Sequence, residues 1–209
     1  SRETAHQLGT QISSLLGWLE LLEAKNADKH KIIGLMKDDV QRLKIISDKF
    51  HKIGSKPSLV EINLVAILND VLIYYKNKIP KSSDTKIKFS TQESIYINGD
   101  KVLLNWAFEN IIKNSLESVS NNKNSVIDIK LEKKDGFVLI FFSDNGHGIS
   151  RKNKKRIFNA GFSTKNRGWG IGLNLSKRII EHIHNGKLLL YKSHAGETVF
   201  KIKLKLSIT

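Results

Sequence analysis

The N-terminal part of the chain repeats apolar residues at alternating intervals of three and four positions. Such spacing forms a narrow stripe on an α-helix and is typical of helices that pack against partner helices. The first series is Ala5, Leu8, Ile12, Leu15, Leu19 and Leu22, and the second is Met36, Asp39, Leu43, Ile46, Phe50 and Ile53. The segment Asn26–Asp28 between them has the composition of a turn with a helix N-cap. The pattern predicts a helical hairpin with a polar interruption at Asp39, and a second copy is expected to complete a four-helix bundle as a homodimer.

A break at Gly54–Ser58 ends the second helix and marks a domain boundary. Beyond it, period-2 and period-3.6 segments alternate. Helices are predicted at Ile67–Ile79, Leu104–Val119 and Leu173–Ile183, and strands at residues 59–63, 87–89, 94–98, 125–133, 137–143, 188–192 and 198–206. The last four strands form two hairpins, so the sheet should be mostly antiparallel there, with helices on one face. We therefore predict an α+β protein with a helical hairpin at residues 1–55 and a two-layer α/β sandwich at residues 59–209.

Glycines are concentrated between Asp144 and Leu173, at positions 146, 148, 161, 168, 170 and 172. Glycine permits positive φ and the close approach of a ligand to the backbone. The second cluster, Gly168–Gly172, directly precedes a predicted helix, and free backbone N–H groups at a helix N-terminus suit a phosphate. Taken alone, such a repeat also fits a tight turn before a packed helix.

Three polar residues, Asn110, Asn114 and Glu117, lie opposite the apolar stripe of the helix predicted at Leu104–Val119. An asparagine carbonyl is a suitable ligand for Mg²⁺, which is usually held in proteins by few side chains together with phosphates and waters. The alternative is that the two asparagines belong to an ordinary solvated face.

Together these segments resemble the GHKL ATP-binding fold. Asn110–Asn114 is similar to its N box, Asp144–Ile149 to the G1 box, Ile157–Lys165 to the F box and Gly168–Leu173 to the G2 box. The four segments also follow the family's order and spacing. The resemblance covers roughly Asn63 to the C-terminus and implies that the chain binds ATP with Mg²⁺.

The resemblance also implies roles for individual residues. Asn114 would hold Mg²⁺ with Asn110 beside it, and Asp144 would recognise the adenine amino group. Lys165 and the Gly168–Gly172 backbone would contact the phosphates. The full set of implied cofactor-binding residues is Asn110, Asn114, Asp144, Gly146, Gly148, Ile149, Phe158, Phe162, Ser163, Thr164, Lys165, Gly168, Gly170, Ile171, Gly172 and Leu173. A mobile lid is expected from about Ser150 to Arg167.

The segment His6–Thr10 at the start of the first heptad series resembles the H box of sensor histidine kinases. His6 follows the stripe residue Ala5 and is predicted to face outward, where a histidine is otherwise an ordinary surface residue. A neutral imidazole is a competent nucleophile near pH 7. The resemblance implies that His6 accepts phosphate from ATP and passes it to an aspartate of a response-regulator receiver domain. Thr10 would position a hydrolytic water, and Gln7, Asn110 and Lys165 complete the implied catalytic set.

Two positions depart from that family's pattern. Gln7 replaces an acidic residue that many members carry after the histidine, and glutamine cannot accept a proton. Gln11 replaces a common proline, which predicts a straighter first helix. These departures leave a phosphatase-biased or degenerate, scaffolding kinase as an alternative. A serine kinase of the anti-sigma type is another, although such relatives lack the hairpin with His6.

The chain has 209 residues, no cysteine and a formal net charge of +15, from 35 Lys and Arg against 20 Asp and Glu. The absence of cysteine excludes disulfides and thiolate metal sites. Because the lysines are spread along the sequence without interleaved aromatic residues, we expect no direct nucleic-acid binding; ATP, an acidic partner or an anionic membrane surface suits the charge. No apolar run approaches the roughly 20 residues that cross a bilayer. The expected location is the cytoplasm, whether or not the whole sensor kinase is anchored in a membrane.

Overall fold

The computed structural model describes residues 2–23, 28–54, 57–80, 83–89, 91, 93–120, 122–164 and 170–207. Within helices it describes no side chains for residues 2–11, 38, 41, 42, 45, 46 and 48–54. The chain forms two compact units, Ser1–Lys56 and Pro57–Thr209.

The first unit consists of helices α1 (Arg2–Glu23) and α2 (Lys29–Gly54), which pack against each other. Asp28 caps α2, since its carboxylate accepts a hydrogen bond from the backbone N–H of Lys31 at 3.1 Å. Asp39, the polar interruption in the second apolar stripe, is only 8% exposed. Its Oδ2 accepts hydrogen bonds from Ser14 Oγ at 2.9 Å and Trp18 Nε1 at 3.0 Å. Asp39 on α2 is therefore hydrogen-bonded to two side chains of α1. Pairing of this unit into a four-helix bundle stays a prediction.

The second unit is built on a mixed five-stranded sheet. Its strands are β2 (Lys86–Phe89), β4 (Val126–Lys134), β5 (Phe137–Asp144), β6 (Lys187–His194) and β7 (Glu197–Lys205), in the spatial order β2-β4-β5-β7-β6. The predicted hairpins are confirmed, because β4 pairs antiparallel with β5 and β6 with β7, while β2 runs parallel to β4. The strand predicted at residues 59–63 is β1 (Val60–Asn63), which pairs with β3 (Tyr96–Gly99) in a sheet separate from the five strands above.

Helices cover one face of the larger sheet. Helix α4 (Lys101–Val119) contacts β4 and β5 and is flanked by α3 (Leu64–Lys78) and α5 (Gly172–Arg178). Asp100 caps α4 by accepting hydrogen bonds from the backbone N–H groups of Val102 and Leu103. The core lies between α4 and the sheet, where the rings of Phe108 and Phe142 are 5.8 Å apart. These features position α4, which carries the two asparagines, against the end of β5.

The helix predicted at Leu173–Ile183 differs from the prediction in its second half. After Arg178 the chain widens into a π-helical turn, Ile179–Ile183. The reason is His184, whose backbone N–H and Nδ1 both bond to the carbonyl oxygen of Ile179, five residues earlier, at 3.2 and 2.8 Å. This side-chain bond favours the wider turn over a regular α-helical one. None of the helices in the described part of the chain is long and apolar enough to cross a membrane.

Candidate functional site

Asp144 ends β5 inside the protein, with only 5% of its surface exposed. Its Oδ1 accepts a hydrogen bond from the backbone N–H of Gly146 at 3.0 Å. Burial raises the pKa of the Asp144 carboxyl above its ordinary value, while the Gly146 bond, the hydroxyls of Ser115 and Ser118, and His147 act in the opposite direction. The Ser115 hydroxyl lowers this pKa although its Oγ has no hydrogen bond of normal geometry among the described residues. The result is a carboxyl group held in a fixed orientation at the base of the glycine loop.

The loop after Asp144 requires both of its glycines. A Cβ on Gly146 would lie 1.9 Å from Oγ and 2.7 Å from Cβ of Ser118 on α4. Gly148 has φ +76°, and a Cβ there would lie 2.4 Å from the carbonyl oxygen of His194. The backbone N–H of Gly196 donates to the Gly146 carbonyl at 2.9 Å. The loop is therefore seated between the end of α4 and the β6–β7 turn.

The two asparagines lie one helical turn apart on α4, and Asn110 reaches the start of α5. A Cβ on Gly172 would meet Oδ1 of Asn110 at 3.3 Å. The Nδ2 atom of Asn110 is buried and has no hydrogen-bond partner among the residues that the structure describes. A buried amide donor of this kind is suited to bind a polar ligand. The structure thus brings the segment resembling the N box beside the segment resembling the G2 box.

The end of the second glycine cluster packs against the predicted lid. Gly170 has φ +64°, and a Cβ there would lie 2.4 Å from the carbonyl carbon of Gly161 and 2.5 Å from the nitrogen of Phe162. Ile171 precedes α5 and its carbonyl accepts a hydrogen bond from Leu175 N–H at 2.7 Å. This close packing requires glycine at position 170, for its backbone conformation and for lack of space.

The described part of the predicted lid, residues 150–164, is anchored at Phe158. The carbonyl of Phe158 accepts a hydrogen bond from Asn174 Nδ2 at 2.8 Å. The Phe158 ring meets Phe200 edge to face at 6.3 Å, and Lys177 Nζ lies 4.9 Å above that ring. Asn174 and Lys177 both belong to α5. The lid is therefore tied at this point to the helix that begins at Gly172.

Other predicted site residues are placed around these anchors. Ile149, at the end of the G1-like segment, donates its N–H to Ser193 Oγ at 2.8 Å. Phe162 is partly buried beneath the Arg156 guanidinium, which lies 4.8 Å from the ring centroid. Ser163 and Thr164 end the described segment that precedes residues 165–169, and Leu173 lies in the first turn of α5.

For five of the predicted site residues, the structure describes no side-chain position. Lys165 and Gly168 lie outside the described residues. His6, Gln7 and Thr10 lie within α1, but their side chains also lie outside the description. Their roles stay predictions.

Sequence reasoning missed two contacts of the site. Ser118, which faces Asp144 and limits the space at Gly146, follows Asn114 by four residues, so helical periodicity could have placed it on the asparagine face. Asn174, which holds Phe158, carries no signal beyond its position after the second glycine cluster. Only the fold brings Asn174 and Phe158 together.

The α/β sandwich thus carries a buried carboxyl group at one glycine loop and an asparagine-bearing helix against a second one. Residues 99–208 match the family of histidine kinase-, DNA gyrase B- and HSP90-like ATPases, which is more than half of the chain. The chain belongs to this family. Membership implies that this domain binds ATP.

Curated relatives are similar over almost the whole chain. Sporulation kinase C of Bacillus subtilis is 27% identical over 208 residues, covering 97% of this chain and 47% of the relative. Sporulation kinase E of the same organism is 28% identical, covering 96% of this chain and 27% of the relative. Sensor protein DegM of a Bacillus species is 27% identical, covering 98% and 53%. The chain thus spans about half, or less, of the length of these relatives.

Solved structures share the fold. The catalytic domain of histidine kinase ThkA is 25% identical with a TM-score of 0.63, covering 70% of this chain and 95% of that one. The histidine kinase AdeS of Acinetobacter baumannii has a TM-score of 0.75 at 16% identity, covering 97% and 98%. ThkA in complex with the response regulator TrrA has a TM-score of 0.70 at 20% identity, covering 97% and 60%. The last two similarities concern the fold alone.

Proposed function

We propose that the chain is the kinase core of a sensor histidine kinase. It would autophosphorylate His6 from ATP and transfer the phosphoryl group to an aspartate of a response-regulator receiver domain. The observation that carries this proposal is that one helix, α4, contacts both glycine segments, through Asn110 at Gly172 and through Ser118 at Gly146. The names of the curated relatives, which are sporulation kinases and a sensor protein, support the same activity.

The nucleotide would bind between the two glycine loops. Asp144 keeps acceptor capacity beyond its bond to Gly146, because each carboxylate oxygen can accept more than one hydrogen bond. It would therefore accept a hydrogen bond from the adenine amino group, while Gly146 and Gly148, packed against Ser118 and His194, would shape the adenine pocket. Bound ATP supplies the phosphoryl group.

The metal and phosphates would lie at the asparagines. The buried Nδ2 of Asn110, which has no hydrogen-bond partner among the described residues, fits a phosphate oxygen or a water beside it. Asn114, one turn further along α4, would coordinate Mg²⁺ through its side-chain amide oxygen. Mg²⁺ prefers oxygen ligands and usually retains several coordinated waters. Lys165 and the backbone around Gly168 would balance the phosphate charge.

The transfer step would take place at the His6 imidazole. A neutral ring nitrogen would form the N–P bond as the bond between the β- and γ-phosphates breaks, with ADP as the leaving group. The ring proton must then leave to solvent or another base, because Gln7 cannot accept it. Thr10, four residues from His6 on α1, would serve a separate phosphatase reaction, by positioning the water that hydrolyses the phosphorylated aspartate of the receiver domain to release inorganic phosphate.

The helical unit would form a homodimer. Ile12, Leu16 and Leu19 on α1 and Ile33 and Val40 on α2 are exposed at intervals of three, four and seven residues. Apolar stripes of this kind favour burial against another helix pair, which supports the four-helix bundle. Residues 1–55 would thus serve dimerisation and phosphotransfer, and residues 59–209 catalysis, in the cytoplasm.

The test is incubation of the full chain with γ-labelled ATP and Mg²⁺, comparing wild type with His6→Ala and His30→Ala. His30, exposed at the start of α2, is the matched control. We expect an acid-labile label that His6→Ala abolishes and His30→Ala retains. Acid-stable label would indicate a serine kinase of the anti-sigma type and overturn the proposal.

A second experiment separates the phosphatase-biased alternative that Gln7 favours. If wild type binds ATP without becoming labelled, Gln7→Glu should restore labelling in a kinase that lacks only its proton acceptor. Dephosphorylation of a phosphorylated receiver domain by wild type but not Thr10→Ala would then establish the phosphatase. Strong wild-type labelling would remove this alternative.

A further inference from the structure

The face of the five-stranded sheet that α4 does not cover is rich in lysine. Strand pairing places Phe141 between Lys130 and Lys201, and Leu139 beside Lys203. Ile140 on β5 and Ile202 on β7 face the core and are fully buried. Because successive side chains of a strand point to opposite faces, the lysines that alternate with such core residues point outward. The lysine face comprises Lys130 and Lys134 on β4, Lys187 on β6, and Lys201, Lys203 and Lys205 on β7. Lysines that look dispersed along the sequence are thus gathered on one surface.

Aromatic rings lie between these lysines, which corrects the expectation that none would. Lys203 Nζ is 3.7 Å from the ring centroid of Phe137. Lys201 Nζ is 5.1 Å from that of Phe141 and 5.4 Å from that of Tyr191. The ammonium groups of these lysines therefore lie over aromatic ring faces on this side of the sheet.

Acidic residues do not cancel the charge of this face. Asp128 is paired with Lys130 at 3.3 Å and Glu197 with Lys192 at 2.5 Å. Glu132, opposite Leu139, is the other carboxylate among the described residues of this face on β4 to β7. Two further lysines, on β2, add positive charge at the edge of the sheet. The surface therefore carries a clear excess of cations and suits an extended anion.

We propose that the lysine face docks on an anionic lipid bilayer. A sheet surface lets cations from several strands meet a planar array of phosphate and carboxylate headgroups at once. Tyr191, 61% exposed, has the amphipathic ring that suits a membrane–water interface. Single-stranded nucleic acid fits less well, because the lysine ammonium groups already lie over the ring faces on which bases would stack.

Docking would leave the nucleotide site accessible from the other side of the sheet. Asn110 and Asn114 lie on α4, which covers the opposite face. ATP binding and lipid binding should therefore be independent of each other. This independence allows membrane docking to be tested without any assumption about kinase activity.

The experiment is sedimentation of the full chain with sucrose-loaded vesicles of phosphatidylcholine alone, or with phosphatidylserine at one third of the lipid. We expect binding only to the mixed vesicles, and its loss as ionic strength rises. The triple substitution Lys201→Gln, Lys203→Gln and Lys205→Gln should weaken partitioning roughly 100-fold, at about fivefold for each lysine.

The matched control is Lys29→Gln, Lys31→Gln and Lys37→Gln, which removes the same charge from exposed positions on α2. It should bind mixed vesicles within about twofold of wild type. A second variant of the lysine face, Lys130→Gln with Lys187→Gln, tests the same surface independently if the triple variant does not fold. Each variant is checked for wild-type ATP affinity and a wild-type unfolding transition.

Three outcomes would overturn the proposal. Wild type could fail to bind mixed vesicles at low salt. The face and α2 variants could lose binding equally, which would indicate net charge rather than a site. A single-stranded oligonucleotide could bind the lysine face in preference to vesicles, which would make the partner a nucleic acid.

Discussion

The backbone N–H of Asp100 donates a hydrogen bond to Nε2 of His184 at 3.0 Å. Because Nε2 accepts this bond, the ring proton of His184 lies on Nδ1, which donates to the carbonyl of Ile179 at 2.8 Å. Asp100 is the N-cap of α4, and Ile179 begins the π-helical turn. One neutral imidazole therefore connects the helix that carries Asn110 with the helix that begins at Gly172.

The two hydrogen bonds of the neutral His184 ring predict that the free energy of unfolding depends on pH. Burial lowers the pKa of His184 below its ordinary value of 6.5, outweighing the opposing effects of Ile179 and Asp100. A depressed histidine pKa means that the unfolded chain binds the proton more readily, so stability is fully present above about pH 6.5 and falls as pH decreases toward the lowered pKa. We expect urea unfolding of wild type to show this loss between pH 7 and 5.

The variant His184→Gln should remove that part of the pH dependence and lower the free energy of unfolding at pH 8 by about 1–3 kcal/mol, since it disrupts two buried hydrogen bonds. The control is His182→Gln, in the same π-helical turn but exposed. A pH profile of His184→Gln parallel to that of wild type would contradict the assignment.

Asp144 is predicted to lower apo-protein stability while it favours nucleotide binding. Burial raises the pKa of this carboxyl, so its ionisation at neutral pH costs folding free energy, and that cost disappears as pH falls below the raised pKa. Asp144→Asn keeps an oxygen for the Gly146 N–H and removes the buried charge. The variant should therefore unfold at equal or higher urea concentration at pH 7, with the difference shrinking on acidification.

The same variant should bind ATP about 10- to 100-fold more weakly, because a charged acceptor for the adenine amino group is lost. Calorimetric titration of ATP into wild type and Asp144→Asn measures this effect. Unchanged ATP affinity in a folded Asp144→Asn protein would remove Asp144 from the adenine site.

Gly146 has no room for a side chain. In Gly146→Ala the methyl group would collide with the side chain and carbonyl of Ser118, the nearest atom lying at 1.9 Å. We expect a loss of about 1–3 kcal/mol in unfolding free energy and a weaker ATP affinity, because the loop must move away from α4. Gly34→Ala adds the same methyl group at an open position on α2 and should leave ATP affinity unchanged. Equal affinities for the two variants would contradict the tight seating of the loop.

Asn174 is predicted to hold the lid. Removing its side chain in Asn174→Ala frees the Phe158 carbonyl, and the loss of about 1 kcal/mol should weaken nucleotide binding about fivefold. Proteolysis between residues 150 and 164 should also become faster. The control Asn98→Ala truncates an exposed asparagine on β3. If both variants cleave at the wild-type rate, the hydrogen bond does not restrain the lid.

The sequence was informative where a local pattern has one structural meaning. Period-3.6 spacing located α4, and the glycines at 146, 148 and 170 marked positions that tolerate no side chain. The strand hairpins followed from period-2 alternation around short polar turns. These features depend on near neighbours, so a linear reading is sufficient.

Features that depend on long-range pairing were not predictable. The π-helical turn requires the buried His184, which sequence analysis assigned no role. The lysine face arises only when the register of β4, β5 and β7 brings Lys130, Phe141 and Lys201 into one row. Along the sequence Phe141 lies 11 positions after Lys130, and Lys201 follows only 60 positions later, so the lysines look like an ordinary solvated surface.

Asp39 is expected to stabilise the helical unit despite interrupting its apolar stripe. In Asp39→Ala, Ser14 Oγ and Trp18 Nε1 lose the acceptor they share, and a partly buried donor without a partner costs about 1–3 kcal/mol. The loss of helical circular dichroism on heating should begin at lower temperature than in wild type. Asp39→Asn keeps one oxygen acceptor and should lie between wild type and Asp39→Ala, whereas Glu20→Ala, at an exposed position on α1, should match wild type. If Asp39→Ala were as stable as Glu20→Ala, apolar packing alone would hold α1 and α2 together, and the buried carboxylate would contribute nothing to the contact.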